Sequence, residues 1–236
     1  SIWLATVVVS GISYLSYLLK RYVFHESGTL VSGIIGGLYS STATISVLAR
    51  KSRKASEQEA TEYVAAMLLA VSMMFLRFMI LILIFSREIF LSIYPYLLIM
   101  SVVSAIVGWF IHSRQKLPKD TSVESEEDDS SNPLEFKVAL IFAVLFVVFT
   151  VLTHYTLVYA GTSGLNLLSF VSGFSDITPF ILNLLQNTGS VAVLIITACS
   201  MQAIVSNILV NMFYALFFAG KRSKLRPWIL GGFGAV

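Results

Sequence analysis

The stretch Val31–Arg50, VSGIIGGLYSSTATISVLAR, is apolar enough to lie in a membrane, yet Gly33, Gly36 and Gly37 run straight into the hydroxyls of Ser40, Ser41, Thr42, Thr44 and Ser46. A related pattern returns in Phe170–Leu184, FVSGFSDITPFILNL. A shift of 136 positions lays Gly37 on Gly173, Leu38 on Phe174, Ser40 on Asp176, Thr42 on Thr178 and Ile45 on Ile181. Glycine-broken, polar-centred segments at matching places in two halves of an apolar chain point to a transporter-type site. Small residues also let membrane helices approach closely, so the first segment taken alone fits packing equally well. Asp176 and Pro179 in the second are not residues that packing calls for, and they favour a site.

Composition decides the solvent. Of 236 residues, 56% are hydrophobic and 12% charged, and mean hydropathy is +0.82. A soluble domain carries roughly 25% charged residues, so the chain reads as an integral membrane protein. Barrel strands would alternate apolar and polar over about ten residues. The apolar runs here instead reach the roughly 20 residues that a crossing helix needs. The net charge of +3 is spread over loop ends and does not describe a nucleic-acid face. Cys199 is the single cysteine, which excludes a disulfide framework and a cysteine-based metal site. The chain opens at Ser1, without an initiator Met or a signal peptide, and reads as a fragment whose preceding residues are missing.

The expected helical spans are Trp3–Phe24, Thr29–Ala49, Glu57–Phe85, Ile89–His112, Leu134–Tyr159, Gly164–Gln186 and Val191–Ala219. Pro227–Val236 follows as a short C-terminal segment. Between the fourth and fifth spans, Arg114–Pro133 is acidic and serine-rich with almost nothing to bury, which makes it a solvated, mobile linker. It lacks the regular ligand spacing of a calcium loop.

The expected fold is therefore an all-α polytopic membrane protein of two repeats, residues 1–113 and 134–236, joined by the linker 114–133. It has seven transmembrane helices, the second and sixth of them glycine-broken at Gly36, Gly37 and Gly173. A shift of 134 also lays Ser72 and Arg77 on Ser206 and Asn211. If every span crosses, four crossings separate the first span from the fifth, and the repeats are parallel about an axis along the membrane normal. One side then holds Arg50, Lys51, Arg53, Lys54, Arg114, Lys116, Lys119 and Lys137. The other holds Lys20, Arg21, Arg87, Lys221, Arg222, Lys224 and Arg226. Eight against seven gives no orientation under the positive-inside rule.

Arg77 and Asp176 are the ionisable residues deepest in apolar sequence. Burying either charge is costly, so each is expected to face the protein interior or a wet cavity and to be partnered. They either pair with each other or line an ion path. Unwinding at Gly36–Gly37 and at Gly173 would free carbonyls for a cation, and a restarting half-helix would offer N–H groups to an anion. Thr178 reads as an N-cap followed by Pro179 at the first helical position. Asn207 and Asn211, four apart on one helical face, add neutral lining, with Ser200 on the same stripe. No nucleophile–base pair, metal-ligand set or phosphate loop is visible, so neither an enzyme nor a cofactor is expected and any metal is left unknown.

With these residues in place, the chain resembles the C-terminal membrane domain of MgtC/SapB-family bacterial and archaeal proteins, a domain of unknown function. The resemblance rests on SGISYLSY in the first span, GIIGGLYSSTATISVLAR in the second, and Met74, Phe75 and Arg77 in the third. It continues through Asn132–Phe136, SGFSDIT in the sixth span and Asn207 in the seventh. It implies a missing N-terminal MgtC-like membrane domain as partner and a multi-pass protein of the prokaryotic cytoplasmic (inner) membrane. The family pattern usually has a second Asp where this chain has Thr178, Ala at Pro179, and often Lys at Asn211.

The function read from the sequence is an ion channel or secondary transporter in the lipid bilayer, for an inorganic ion, with a cation favoured over an anion. Its pathway would be lined by Ser40, Ser41, Thr42, Asp176, Thr178, Asn207 and Asn211, with Arg77 as counter-charge. The reading leaves room for a homo-oligomer and excludes nucleic acid. The alternative is a non-transporting membrane regulator or scaffold whose polar centre only packs helices.

Overall fold

The computed structural model describes residues 7–8, 11, 14, 28–114, 134–186, 191–219 and 225–234. The expected first span Trp3–Phe24 and the acidic linker therefore lie, almost entirely, outside the described residues. Among those described, all regular structure is helical: α1 (Thr29–Lys54), α2 (Glu57–Phe85), α3 (Arg87–Ser113), α4 (Leu134–Ser172), α5 (Ile177–Gln186), α6 (Val193–Phe218) and α7 (Leu225–Gly234). Length and composition alone make five segments apolar enough to cross a membrane: Thr29–Lys54, Glu59–Phe85, Arg87–Ser113, Ala143–Ser172 and Val193–Phe218. Large apolar side chains such as Leu91, Ile99, Val158 and Leu194 stand exposed, a surface that suits lipid and not water.

The helices distribute over two compact units. One comprises Ile12–Phe78, Tyr96–Asp128 and Asn211–Val236; the other comprises Ser1–Gly11, Met79–Pro95 and Asp129–Val210.

In the first of these units, α1 doubles back on itself. Ser40 is extended (φ −156°, ψ 105°) between two helical limbs. A Cβ at Gly36 would lie 2.5 Å from Thr44 Oγ1. In a straight helix residues eight apart are separated by about 12 Å along the axis, so the limbs 29–39 and 41–54 must fold face to face. The neighbouring helix gives the same answer. The Thr29 hydroxyl bonds the Glu62 carboxylate, while a Cβ at Gly33 would strike the Ala66 backbone and one at Gly37 the Ala70 backbone. The first limb of α1 thus runs parallel to α2 in constant register. Only Ala55 and Ser56 separate Lys54 from Glu57, so α1 begins and ends at the same level.

Local chemistry starts and pairs the next two helices. Ser56 N–H donates to Glu59 Oε2 at 2.7 Å, and Glu59 N–H reaches back to Ser56 Oγ at 3.4 Å, a capping box that opens α2. Ser104 Oγ donates to the Leu68 carbonyl at 2.7 Å and Ser101 Oγ to that of Ser72 at 3.1 Å. These contacts lay α3 antiparallel to α2, and hydroxyl-to-carbonyl bonds of this kind hold helices together where the surroundings are apolar. Gly232 of α7 sits against Leu68, so the C-terminal segment is a short helix packed on α2.

The other unit repeats the device with a longer approach. Gly161 (φ 57°, ψ −146°) interrupts α4, and a Cβ at Gly164 would lie 2.7 Å from Thr156 Cγ2, again eight residues away. The chain therefore reverses at Gly161, a conformation that only glycine adopts readily. The returning limb 162–172 runs parallel to α6, with Cys199 Sγ donating to Asn166 Oδ1 at 3.4 Å and Ser206 Oγ to the Phe170 carbonyl at 2.7 Å.

After residues 173–176 the chain turns again into α5, which has 10 residues. Had α5 continued straight, its end would lie about 37 Å from the level of Gly161, where α6 begins. The five steps from Gln186 to Val191 span at most about 18 Å, so α5 must return. Its contacts agree: Asn183 Nδ2 donates to Thr150 Oγ1 at 2.7 Å, and the Phe149 and Phe180 rings lie 5.4 Å apart.

Two expectations change as a result. The second and sixth spans are each broken into two limbs that double back, so neither is the single continuous helix that the count of seven assumed. The even crossing count that made the repeats parallel assumed that both passed through. Hydropathy cannot register a reversal, because two apolar limbs read the same as one long helix.

Candidate functional site

Apart from Asn211, the polar residues singled out in the sequence lie at the tips of these two hairpins, each tip in its own unit. At the first tip, Ser40 Oγ accepts the Ala43 N–H at 3.4 Å and so begins the second limb as its N-cap. The Tyr39 carbonyl, released by the break, receives Nη1 of Arg77 at 2.7 Å. Arg77 is 8% exposed and brings a full positive charge beside a helix start that is itself partially positive. Ser41 is buried, while Ser40 and Thr42 are half-buried.

The break falls at Ser40 and not at Gly36–Gly37, which remain helical. Gly36 makes room for the Thr44 side chain and Gly37 for the backbone of α2. Their role here is close approach, and the residue that ends the limb is the one with an oxygen to cap the next.

At the second tip, Gly173, Phe174, Ser175 and Asp176 separate the limbs. Asp176 is exposed, and its Oδ1 accepts the Thr178 N–H at 2.9 Å. The N-cap is therefore Asp176, not Thr178. A carboxylate two residues ahead reaches the free N–H and also meets the positive end of the helix. Thr178 is buried in the first turn with Pro179 after it.

The released Gly173 carbonyl receives Asn207 Nδ2 at 3.0 Å. Gly173 sits so close to α6 that a Cβ would lie 2.5 Å from that of Ser206. Asn207 and Asn211 are both buried; the unit boundary falls between them, so that Asn207 belongs to the unit of the second tip and Asn211 to the unit of the first. Arg77 and Asp176 likewise belong to different units, each with a partner in its own.

Three features were not read from the sequence. Tyr39 matters through its carbonyl, which no side-chain pattern reveals. Gly161 falls in the sequence between two expected spans and Gly164 at the start of the sixth, with nothing to mark a reversal. In the unit of the second tip, Ser200 Oγ, Thr197 Oγ1 and Thr153 Oγ1 are buried without a hydrogen-bond partner among the described residues. Ser200 shares the stripe of Asn207, whereas no sequence pattern singles out the other two. No group of three or more His, Cys, Asp or Glu suited to a metal occurs among the described residues.

Comparison with known proteins gives the chain relatives but no activity. An "Uncharacterized protein" of Aquifex aeolicus (strain VF5) is 27% identical over 205 residues, covering 86% of this chain and 87% of its own. No solved structure matches. The pattern described as "Domain of unknown function (DUF4010)" matches residues 7–219. That match takes in both hairpins and the helices that cap them, and the chain belongs to the DUF4010 family.

Proposed function

We propose that the protein is a membrane ion channel or secondary transporter, with a cation favoured over an anion. The observation that carries this reading is the pair of helical hairpins, each ending in a capped turn inside an apolar segment. Non-helical backbone at membrane depth is tolerated only where it is buried in protein or lines a wet cavity. Interrupted helices of this kind form the substrate sites of secondary transporters.

Ser40 and Asp176, matched by the 136-residue shift, both cap a second limb. Gly37 on Ala70 and Gly173 on Ser206 share one spacing, which supports a repeat at that shift and replaces the shift of 134 taken for the following helix. With both hairpins re-entrant, and with the first span crossing as the sequence expects, three crossings separate the two sequence halves. That odd number gives the halves inverted topology, as in many transporters.

In this reading Asp176 supplies the negative charge at the second tip, with Thr178 and Asn207 beside it. Ser40, Ser41, Thr42 and Asn211 supply neutral oxygens, and Arg77 is the counter-charge. The buried hydroxyls of Ser200 and Thr153 ask for water or an ion as partner. The MgtC/SapB resemblance adds an N-terminal membrane domain, the prokaryotic inner membrane and room for a homo-oligomer.

A regulator or scaffold is the second reading, favoured by one observation: the Tyr39 and Gly173 carbonyls are already taken by protein side chains. Flux measurements on purified protein in liposomes, run with a series of cations and anions, separate the two. Cation flux above protein-free liposomes supports transport. No flux of any ion supports the regulator.

A further inference from the structure

We infer that the membrane face carrying both ends of α1 is the cytoplasmic one, so that the first hairpin is entered from the cytoplasm. Three contacts, all within one compact unit, define that face. Thr29 beside Glu62 places the start of α1 level with the first turns of α2. The antiparallel pairing of α3 with α2 returns Arg114 to the same level. The Arg50 guanidinium lies 4.5 Å from the centre of the Phe218 ring, which brings the C-terminal end of α6 there as well. An interfacial belt marks the level: Arg114 lies 4.3 Å over the Phe110 ring, and the neighbouring Trp109 is 65% exposed, as aromatic residues at headgroup depth are.

The charges then sort themselves. Arg50, Lys51, Arg53 and Lys54 end α1 on this face, and Arg114 ends α3 on it. In the sequence, Lys20 and Arg21 stand just before Gly28, Lys116 and Lys119 just after Arg114, and Lys221, Arg222, Lys224 and Arg226 just after Ala219. At the far end of α2 and α3 the turn carries Arg87 alone, next to Glu88. The near-tie came from counting α1 as a crossing, which put the 50–54 cluster opposite Lys20, Arg21 and the 221–226 cluster. Read as a hairpin, α1 leaves a one-sided excess, and Lys and Arg flanking membrane helices are retained on the cytoplasmic side. This sidedness does not depend on whether an ion crosses.

Cysteine accessibility tests it. Cys199 is the single cysteine and is buried, so a Cys199→Ala background leaves no competing thiol. In that background Gly28→Cys, Ala55→Cys, Ser113→Cys and Glu88→Cys are expressed singly in intact bacterial cells and challenged with a membrane-impermeant thiol reagent. A Cβ at Gly28 meets nothing within 4 Å, and Ser113 and Glu88 are exposed, so these sites tolerate the change. The expected result is label on Glu88→Cys in intact cells, and on the other three only after permeabilisation. Label on Gly28→Cys and Ala55→Cys from opposite sides would show that α1 crosses, and would overturn the inference. So would the reversed pattern, or label on any one site from both sides. Ser113→Cys reports the face independently if either hairpin-end variant fails to accumulate.

Discussion

Arg77 Nη1 donates to the carbonyl oxygen of Tyr39 at 2.7 Å across 38 residues of sequence. The bond ties α2 to the point where α1 stops being helical. A carbonyl at a buried helix end needs a partner, and a guanidinium supplies one with its charge close to the start of the next limb. Hydrogen bonds to charged groups contribute roughly 1.5–3 kcal/mol. Arg77→Leu is expected to lower the unfolding free energy in detergent by that order, and Arg77→Lys by less. The check is a thermal or denaturant melt of both variants beside the parent. Equal loss in both would mean that only the planar guanidinium serves the Tyr39 carbonyl; no loss in either would mean that the bond does not stabilise the fold.

Gly36 and Thr44 test the hairpin itself. Gly36→Ala places a methyl against the Thr44 side chain, and Thr44→Ala removes the obstruction. The two substitutions should therefore couple, the double variant recovering on the order of 0.5 kcal/mol or more of what Gly36→Ala loses. In an unbroken helix the same residues stand about 12 Å apart and would behave additively. A double-mutant cycle by thermal unfolding reads the difference directly.

Gly161 gives a complementary test of the second reversal. A Cβ there meets nothing within 4 Å, so sterics predict no loss for Gly161→Ala. The backbone says otherwise, because φ 57° with ψ −146° lies in a region left almost wholly to glycine, at roughly 1–3 kcal/mol for another residue. A clear drop in stability for Gly161→Ala, with little change for Gly28→Ala, whose backbone is ordinary, is the outcome expected. Equal behaviour of the two would mean that the chain does not reverse at Gly161.

These tests also show how far the sequence could be read. The apolar runs announced a membrane protein, and the 136-residue shift set Ser40 over Asp176, the two residues that cap the second limbs. The direction of the chain was hidden. α1 has 26 residues, enough for one tilted crossing or for two half-length limbs, and hydropathy is the same for both. The glycines looked like the break because they are permissive, yet Gly33 and Gly37 serve to seat α1 on Ala66 and Ala70. The break went to Ser40, whose extended backbone any residue can adopt and no composition signals. Arg77 was legible as a costly buried charge, but its partner is a main-chain oxygen, and no residue type encodes that.

Asp176 allows structure and selectivity to be separated in one residue. Its Oδ1 holds the Thr178 N–H, a cap that Asn provides about as well and Ala does not. Asp176→Ala should therefore lose about 1 kcal/mol of stability, while Asp176→Asn keeps the cap and removes only the charge. If Asp176 faces the ion path, Asp176→Asn should fold like the parent and lose cation flux in liposomes, turning selectivity toward anions. Arg77→Gln, which removes the opposite charge from the first tip, should shift selectivity the other way despite its lower stability. Stability loss at Arg77 follows from burial whichever function is right, so it decides nothing between transport and scaffold. The opposite-signed change in selectivity does. Should both variants lower or spare stability as described and leave the flux of every ion unchanged, the hairpin tips are structural and the regulator reading stands.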